Sequence, residues 1–127
     1  MTTPIRLVAG LIMLEGALDD SETATALAGR LPLTFEMSRW GEEYYGDIGE
    51  ALGVGESSDA REEMKVGELA YWPSGNALCV FFGPTPASEG DEPRAASPVN
   101  PICVMEGDID LLAMLGSSIE VTVEKNG

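Results

Sequence analysis

Tyr71 to Pro86 read YWPSGNALCVFFGPTP, and the fold follows from how this stretch divides. Ala77, Leu78, Cys79, Val80, Phe81 and Phe82 form an apolar run, bounded by Ser74-Gly75-Asn76 before it and Gly83-Pro84-Thr85-Pro86 after it. A short run of this kind, rich in β formers and closed by turn residues at both ends, predicts a strand buried on both faces. Its flanks carry aromatic and polar side chains, so recognition surface is expected at its ends rather than within it.

Working outward, Leu69 to Trp72 predicts a strand leading into this one. Arg61 to Val66 predicts an edge strand, with Gly67-Glu68 as the turn between them. Upstream, Leu33, Phe35 and Met37 alternate with Thr34, Glu36 and Ser38, the pattern of a strand with one dry and one wet face. Glu42 to Ile48 can form the next strand. The Gly-, Ser- and acid-rich stretch from Gly49 to Asp59 is expected to be a mobile surface loop. Ile5 to Ala17 predicts a hairpin turning at Gly10. Asp19-Asp20-Ser21-Glu22 then offers N-cap oxygens to a short helix with Ala24, Leu27, Ala28 and Leu31 on one face, ended by Gly29 and Pro32.

Downstream, ASEGDEPRAASP after Pro86 is small, polar and proline-containing, and is expected to be a long loop. Asn100 to Met105 predicts an apolar strand. Asp108 is placed to cap a short helix carrying Ile109, Leu111, Leu112 and Leu115, and Ile119, Val121 and Val123 alternate along a closing strand. About seven or eight short strands with two short helices and no βαβ alternation predict a mainly β, mostly antiparallel closed barrel, its ends capped by the helices.

At 127 residues the chain has the length of one domain, residues 1–127, and 44% hydrophobic composition makes it globular. With 22 Asp and Glu against 7 Lys and Arg, the net charge of −15 repels a phosphate backbone and an anionic membrane, which excludes nucleic acid and membrane as expected partners. The first residues have the pattern of neither a signal peptide nor a membrane span, so a cytoplasmic location is expected. Cys79 and Cys103 both fall in apolar strands without CxxC spacing. Two buried, reduced thiols are expected, with a bridge between adjacent strands as the alternative.

Four segments carry a resemblance. They are Leu31-Pro32 before Arg39-Trp40-Gly41-Glu42-Glu43-Tyr44; Val66 to Cys79; Phe81 to Pro86; and Arg94 to Asn100. In order and spacing the chain resembles the small stand-alone bacterial and archaeal proteins of cyclophilin-like fold. The resemblance implies a closed eight-stranded barrel with a helix at each end. Cyclophilins proper are prolyl isomerases whose groove presents an arginine to the prolyl peptide bond. This chain has no histidine and lacks the arginine-bearing Phe-Met-x-Gln segment of that groove.

The candidate ligand-binding residues are Trp40, Tyr44, Trp72, Asn76, Phe82, Thr85 and Arg94, expected to line one open groove. Each has a structural alternative. Trp40, Tyr44 and Trp72 either line a pocket or fill the barrel end. Gly83 to Pro86, with the Thr85 hydroxyl, either walls the groove or is a rigid exit from the barrel. Arg94 either binds a ligand carboxylate or carbonyl or pins its loop to Glu42 or Glu43, and Arg39 invites the same two readings. Asn76 and Asn100 are expected to satisfy loop backbone, and Glu43 to be an exposed strand carboxylate rather than a general base.

Without histidine, Ser-His and Cys-His nucleophilic pairs are excluded. Zinc ligation, a calcium loop and a glycine-rich phosphate motif are absent, so no cofactor or metal is expected. The leading expectation is a barrel that binds a small molecule or peptide without chemistry. The alternatives are a prolyl isomerase using Arg39 or Arg94, and a structural or homo-oligomeric module.

Overall fold

A computed structural model describes residues 2–126. Ten strands and two short helices follow in the order β1 Thr3–Ala9, β2 Ile12–Leu18, α1 Glu22–Ala28, β3 Leu33–Arg39, β4 Glu43–Asp47, β5 Arg61–Glu63, β6 Glu68–Trp72, β7 Ala77–Phe81, β8 Arg94–Val104, β9 Glu106–Gly107, a 3-10 helix Ile109–Met114, and β10 Ser118–Lys125. All pairings are antiparallel. The sheet order is β5-β8-β6-β7-β4-β3-β10-β1-β2-β9.

This order corrects the expected closed eight-stranded barrel. The sheet is an open, curled half-barrel whose ladder ends at β5 on one side and β9 on the other. Where β2 nears β8, the backbone bond from Asp19 N to Ile102 O spans the gap, and β2 then pairs only Leu14 and Glu15 with the two residues of β9. Pro98 and Pro101 lie within β8 and bring no backbone N–H, so this strand is poorly suited to carry full ladders along both edges.

β7 is buried at every position, as its sequence predicts. Leu78 and Val80 face the main core with Ile5, Leu7, Leu14, Met37, Tyr44 and Tyr71, while Cys79 and Phe81 face a second cluster with Met64, Ala70, Ala95 and Val99. Fully burying a side chain of this size contributes about 1.5–3 kcal/mol, so β7 is held from both sides. The second cluster exists because β8 begins at Arg94, inside the segment expected to be loop. Its first half pairs with β5 and its second half with β6, so the strand crosses the outer face of β6 and β7.

The hairpin at Gly10 is as expected, and Ser21 caps α1 by accepting the Ala24 N–H at 3.2 Å. Asp108 makes no side-chain cap, and the helix after it is 3-10 rather than α. The two cysteines are free. Cys79 belongs to the outer cluster and Cys103 packs against the main core, so the sheet separates them. No helix among the described residues is long and apolar enough to cross a membrane.

Candidate functional site

Alternation along β4 sends Tyr44 into the main core and Glu43 and Tyr45 to the outer face. The register places Glu43 opposite Phe81 and Tyr45 opposite Cys79, so Glu43 and Cys79 are diagonal neighbours on that face. Trp72 arrives on the same face from β6, two residues beyond Ala70, which pairs with Cys79. Above them pass Ala95, Ser97 and Val99, the inward positions of β8, with Ala96 at the rim. Trp40 closes the remaining side from the turn before β4. Together these side chains bound a pocket of about 260 Å³ between β8 and the outer face of the sheet.

Local chemistry fixes the walls. The turn carrying Trp40 is held by Trp40 N to Glu43 O at 2.8 Å and Glu43 N to Trp40 O at 3.2 Å. Gly41 sits in it at φ 60°, where a Cβ would press on Thr85 and Pro86, so only glycine lets the Gly83 to Pro86 segment lie against the turn. That segment is docked by Glu42 N to Pro84 O, and the residue before it by Phe82 N to Glu42 O, both 2.9 Å. Trp72 is fixed from two directions. Its indole N–H donates to Ser97 Oγ at 2.6 Å, and Gly75 packs so closely that a Cβ would overlap the six-membered ring.

The unusual group is Glu43. Rather than an exposed strand carboxylate it is 4% exposed, and Oε1 is buried with no hydrogen-bond partner. Loss of hydration raises its pKa to about 8, against the opposing effect of a hydrogen bond with Cys79. The carboxyl is therefore protonated at neutral pH. Cys79 is pushed well above the usual thiol range by burial, with the Glu43 charge and hydrogen bond acting in the same direction, so its sulfur stays a thiol and is a poor nucleophile.

Of the residues expected to share a groove, the pocket gathers Trp40 and Trp72. Tyr44 is in the core, stacked on Phe82 at 5.6 Å, its hydroxyl donating to Gly116 O. Asn76 occupies a turn at φ 50°, accepting from the Tyr71 hydroxyl at 2.6 Å and donating to Gly49 O at 2.7 Å. Thr85 donates to Arg94 O. Arg94 pairs not with Glu42 or Glu43 but with Glu92 at 3.1 Å, Glu63 at 3.6 Å and Glu62 at 3.9 Å. Arg39 donates to Gly41 O and Ala113 O, both at 2.8 Å, and lies over Phe82. Sequence reasoning missed Tyr45, Cys79 and the β8 residues as pocket walls, and placed Glu43 in solvent. The usable signal was the outward phase of Glu43 and Tyr45 beside the fully apolar β7.

Among the described residues no group of three or more His, Cys, Asp or Glu side chains is gathered as for a metal ion. No curated protein matches the chain. It is similar to the solution structure of the hypothetical protein AF2241 from Archaeoglobus fulgidus, with 29% identity and a TM-score of 0.80 over 98% of this chain and 95% of that one. The cyclophilin-like family profile matches residues 3–124, nearly the whole chain. With that match and the sheet described above, the chain belongs to the cyclophilin-like family.

Proposed function

We propose that the protein binds a small organic ligand, or a single side chain of a peptide, in the pocket beneath β8 and performs no covalent chemistry on it. The observation that supports this most is the buried Glu43 carboxyl, with one unpartnered oxygen, in the wall of a pocket otherwise bounded by Trp40, Tyr45, Trp72 and small side chains. An unpaired buried acceptor costs about 1–3 kcal/mol, and a ligand donor would recover part of that. The volume, about 260 Å³, suits a fragment-sized molecule rather than an extended peptide. The prolyl isomerase reading gains nothing here, because neither Arg39 nor Arg94 lines the pocket and both are engaged elsewhere.

The chain has two tryptophans, and both bound the pocket. Intrinsic fluorescence and the two indole N–H resonances therefore report directly on occupancy. A library of aromatic and aliphatic fragments should yield ligands that shift both signals, and Ala96→Leu, which fills the rim, should weaken them at least tenfold. A library that leaves both indole signals unmoved would overturn ligand binding at this site.

A further inference from the structure

The pocket holds a carboxyl but no basic side chain: its walls contribute Trp40, Tyr45, Trp72, Cys79 and the β8 residues, with Glu43 as the acid. A buried acid is normally matched by an arginine or lysine of the same chain. Here the adjacent basic groups are taken, Arg94 by Glu92, Glu63 and Glu62, and Arg39 by backbone carbonyls. We infer that the pocket takes a small organic cation bearing at least one N–H, its charged nitrogen against the Glu43 carboxyl and its carbon frame among Trp40, Tyr45 and Trp72. This rests on the binding function proposed above and names the ligand class of that site.

Three features support the assignment. Glu43 Oε1 lacks a donor, which an ammonium or amidinium N–H supplies with charge assistance. Three aromatic side chains line the pocket, and the π system of such a ring attracts cations most strongly where water is excluded. The net charge of −15 raises the local concentration of organic cations and lowers that of anions.

Binding is then coupled to a proton. The groups facing Glu43 are the Cys79 thiol from β7 and the phenol of Tyr45 on its own strand; β6 and β8 contribute Trp72, Ala95, Ala96, Ser97 and Val99, none of them charged. Glu42 lies on the same turn with its side chain against Gly83. Below a pH of about 8 the empty pocket holds the Glu43 proton, which an entering cation displaces to solvent, leaving a carboxylate paired with the ligand.

The test compares benzamidine, an amidinium through pH 9, with its neutral counterpart benzamide, by calorimetry and tryptophan fluorescence at pH 6, 7, 8 and 9. Benzamidine should bind more tightly. Its Kd should fall by about tenfold from pH 6 to 7 and about fivefold from 7 to 8 and then level off, and about one proton should be released per ligand below pH 7. Glu43→Gln should weaken benzamidine at least tenfold and flatten its pH profile, while affecting benzamide less. The proton count comes from the unaltered protein, so it stands even if that variant folds poorly. Equal or tighter binding of benzamide at pH 9, where the Glu43 carboxyl is ionised, overturns the cation assignment, and benzamidine binding without proton release overturns the proton coupling. If neither probe binds while other fragments still shift the indole signals, the cation assignment alone fails. If no fragment shifts them, the binding function fails with it.

Discussion

Glu43 concentrates the consequences of the fold in one side chain. A carboxyl whose pKa is raised to about 8 in the folded protein, against 4.5 for the ordinary group, binds a proton in the native state that the unfolded chain has already lost across the interval between. Its stabilising contribution is full below the unfolded value and is lost as pH rises toward 8, with a slope of at most about 1.4 kcal/mol per pH unit. Glu43→Gln keeps the shape and removes the titration. In urea denaturation at pH 5, 6, 7 and 8, the stability difference between glutamine variant and unaltered protein should move steadily in favour of glutamine. Parallel pH profiles would show that the carboxyl is hydrated and ordinary. The strand and phase of this residue were legible in the sequence, but its burial was not. Burial depends on β8 crossing overhead, a contact between segments more than fifty residues apart that no local pattern encodes.

At the scale of elements, β8 explains both what was missed and how the 49–59 segment is held. The residues Arg94-Ala-Ala-Ser-Pro98 look like loop because small and proline residues have weak strand preference. They are needed as strand because only small side chains leave room over Cys79 and Trp72 for a pocket. Further along β8, Asn100 is 1% exposed, donates from Nδ2 to Thr23 Oγ1 at 3.0 Å and Gly55 O at 2.9 Å, and accepts the Ser57 N–H at 2.9 Å. With Arg30 donating to Glu50 O and Ala51 O, and Asn76 donating to Gly49 O, the stretch expected to be mobile is tied down at several points. Asn100→Ala should therefore cost about 1–3 kcal/mol and raise amide exchange at Ser57 well beyond the global change. Exchange rising equally throughout the sheet would mean that Asn100 supports the core rather than the loop. That an asparagine would serve loop backbone was predictable from its type, whereas which loop it serves required the register of β8 on β6.

For the whole molecule, sequence pattern gave strand order along the chain and a family resemblance, yet mistook an open sheet for a closed one. Strand counts do not reveal that Pro98 and Pro101 thin the donors of β8, or that the seam beside β2 is left to the two residues of β9. The open ladder ends in short strands, and β5 at one end is wholly charged, features that discourage edge-to-edge pairing. Charge sets the other global property. A chain of this length has a radius of gyration of about 14 Å, while the screening length is about 30 Å in 10 mM salt and about 3 Å at 1 M. At low salt the carboxylates behind the −15 net charge repel one another across the whole fold; at high salt each interacts only with its neighbours. Close pairs such as Arg61 with Glu68 at 2.6 Å, Arg6 with Glu124 at 2.8 Å and Arg94 with Glu92 at 3.1 Å are partly buried and lose less to screening than the diffuse repulsion does. Net stability should thus increase with salt, with Tm rising by about 4 °C or more between 10 mM and 0.5 M sodium chloride at pH 7.5. Near pH 4, where many exposed carboxyls are neutral, the rise should shrink. A Tm that falls with salt at pH 7.5 would mean that the local arginine pairs, not the global repulsion, dominate the electrostatics of this fold.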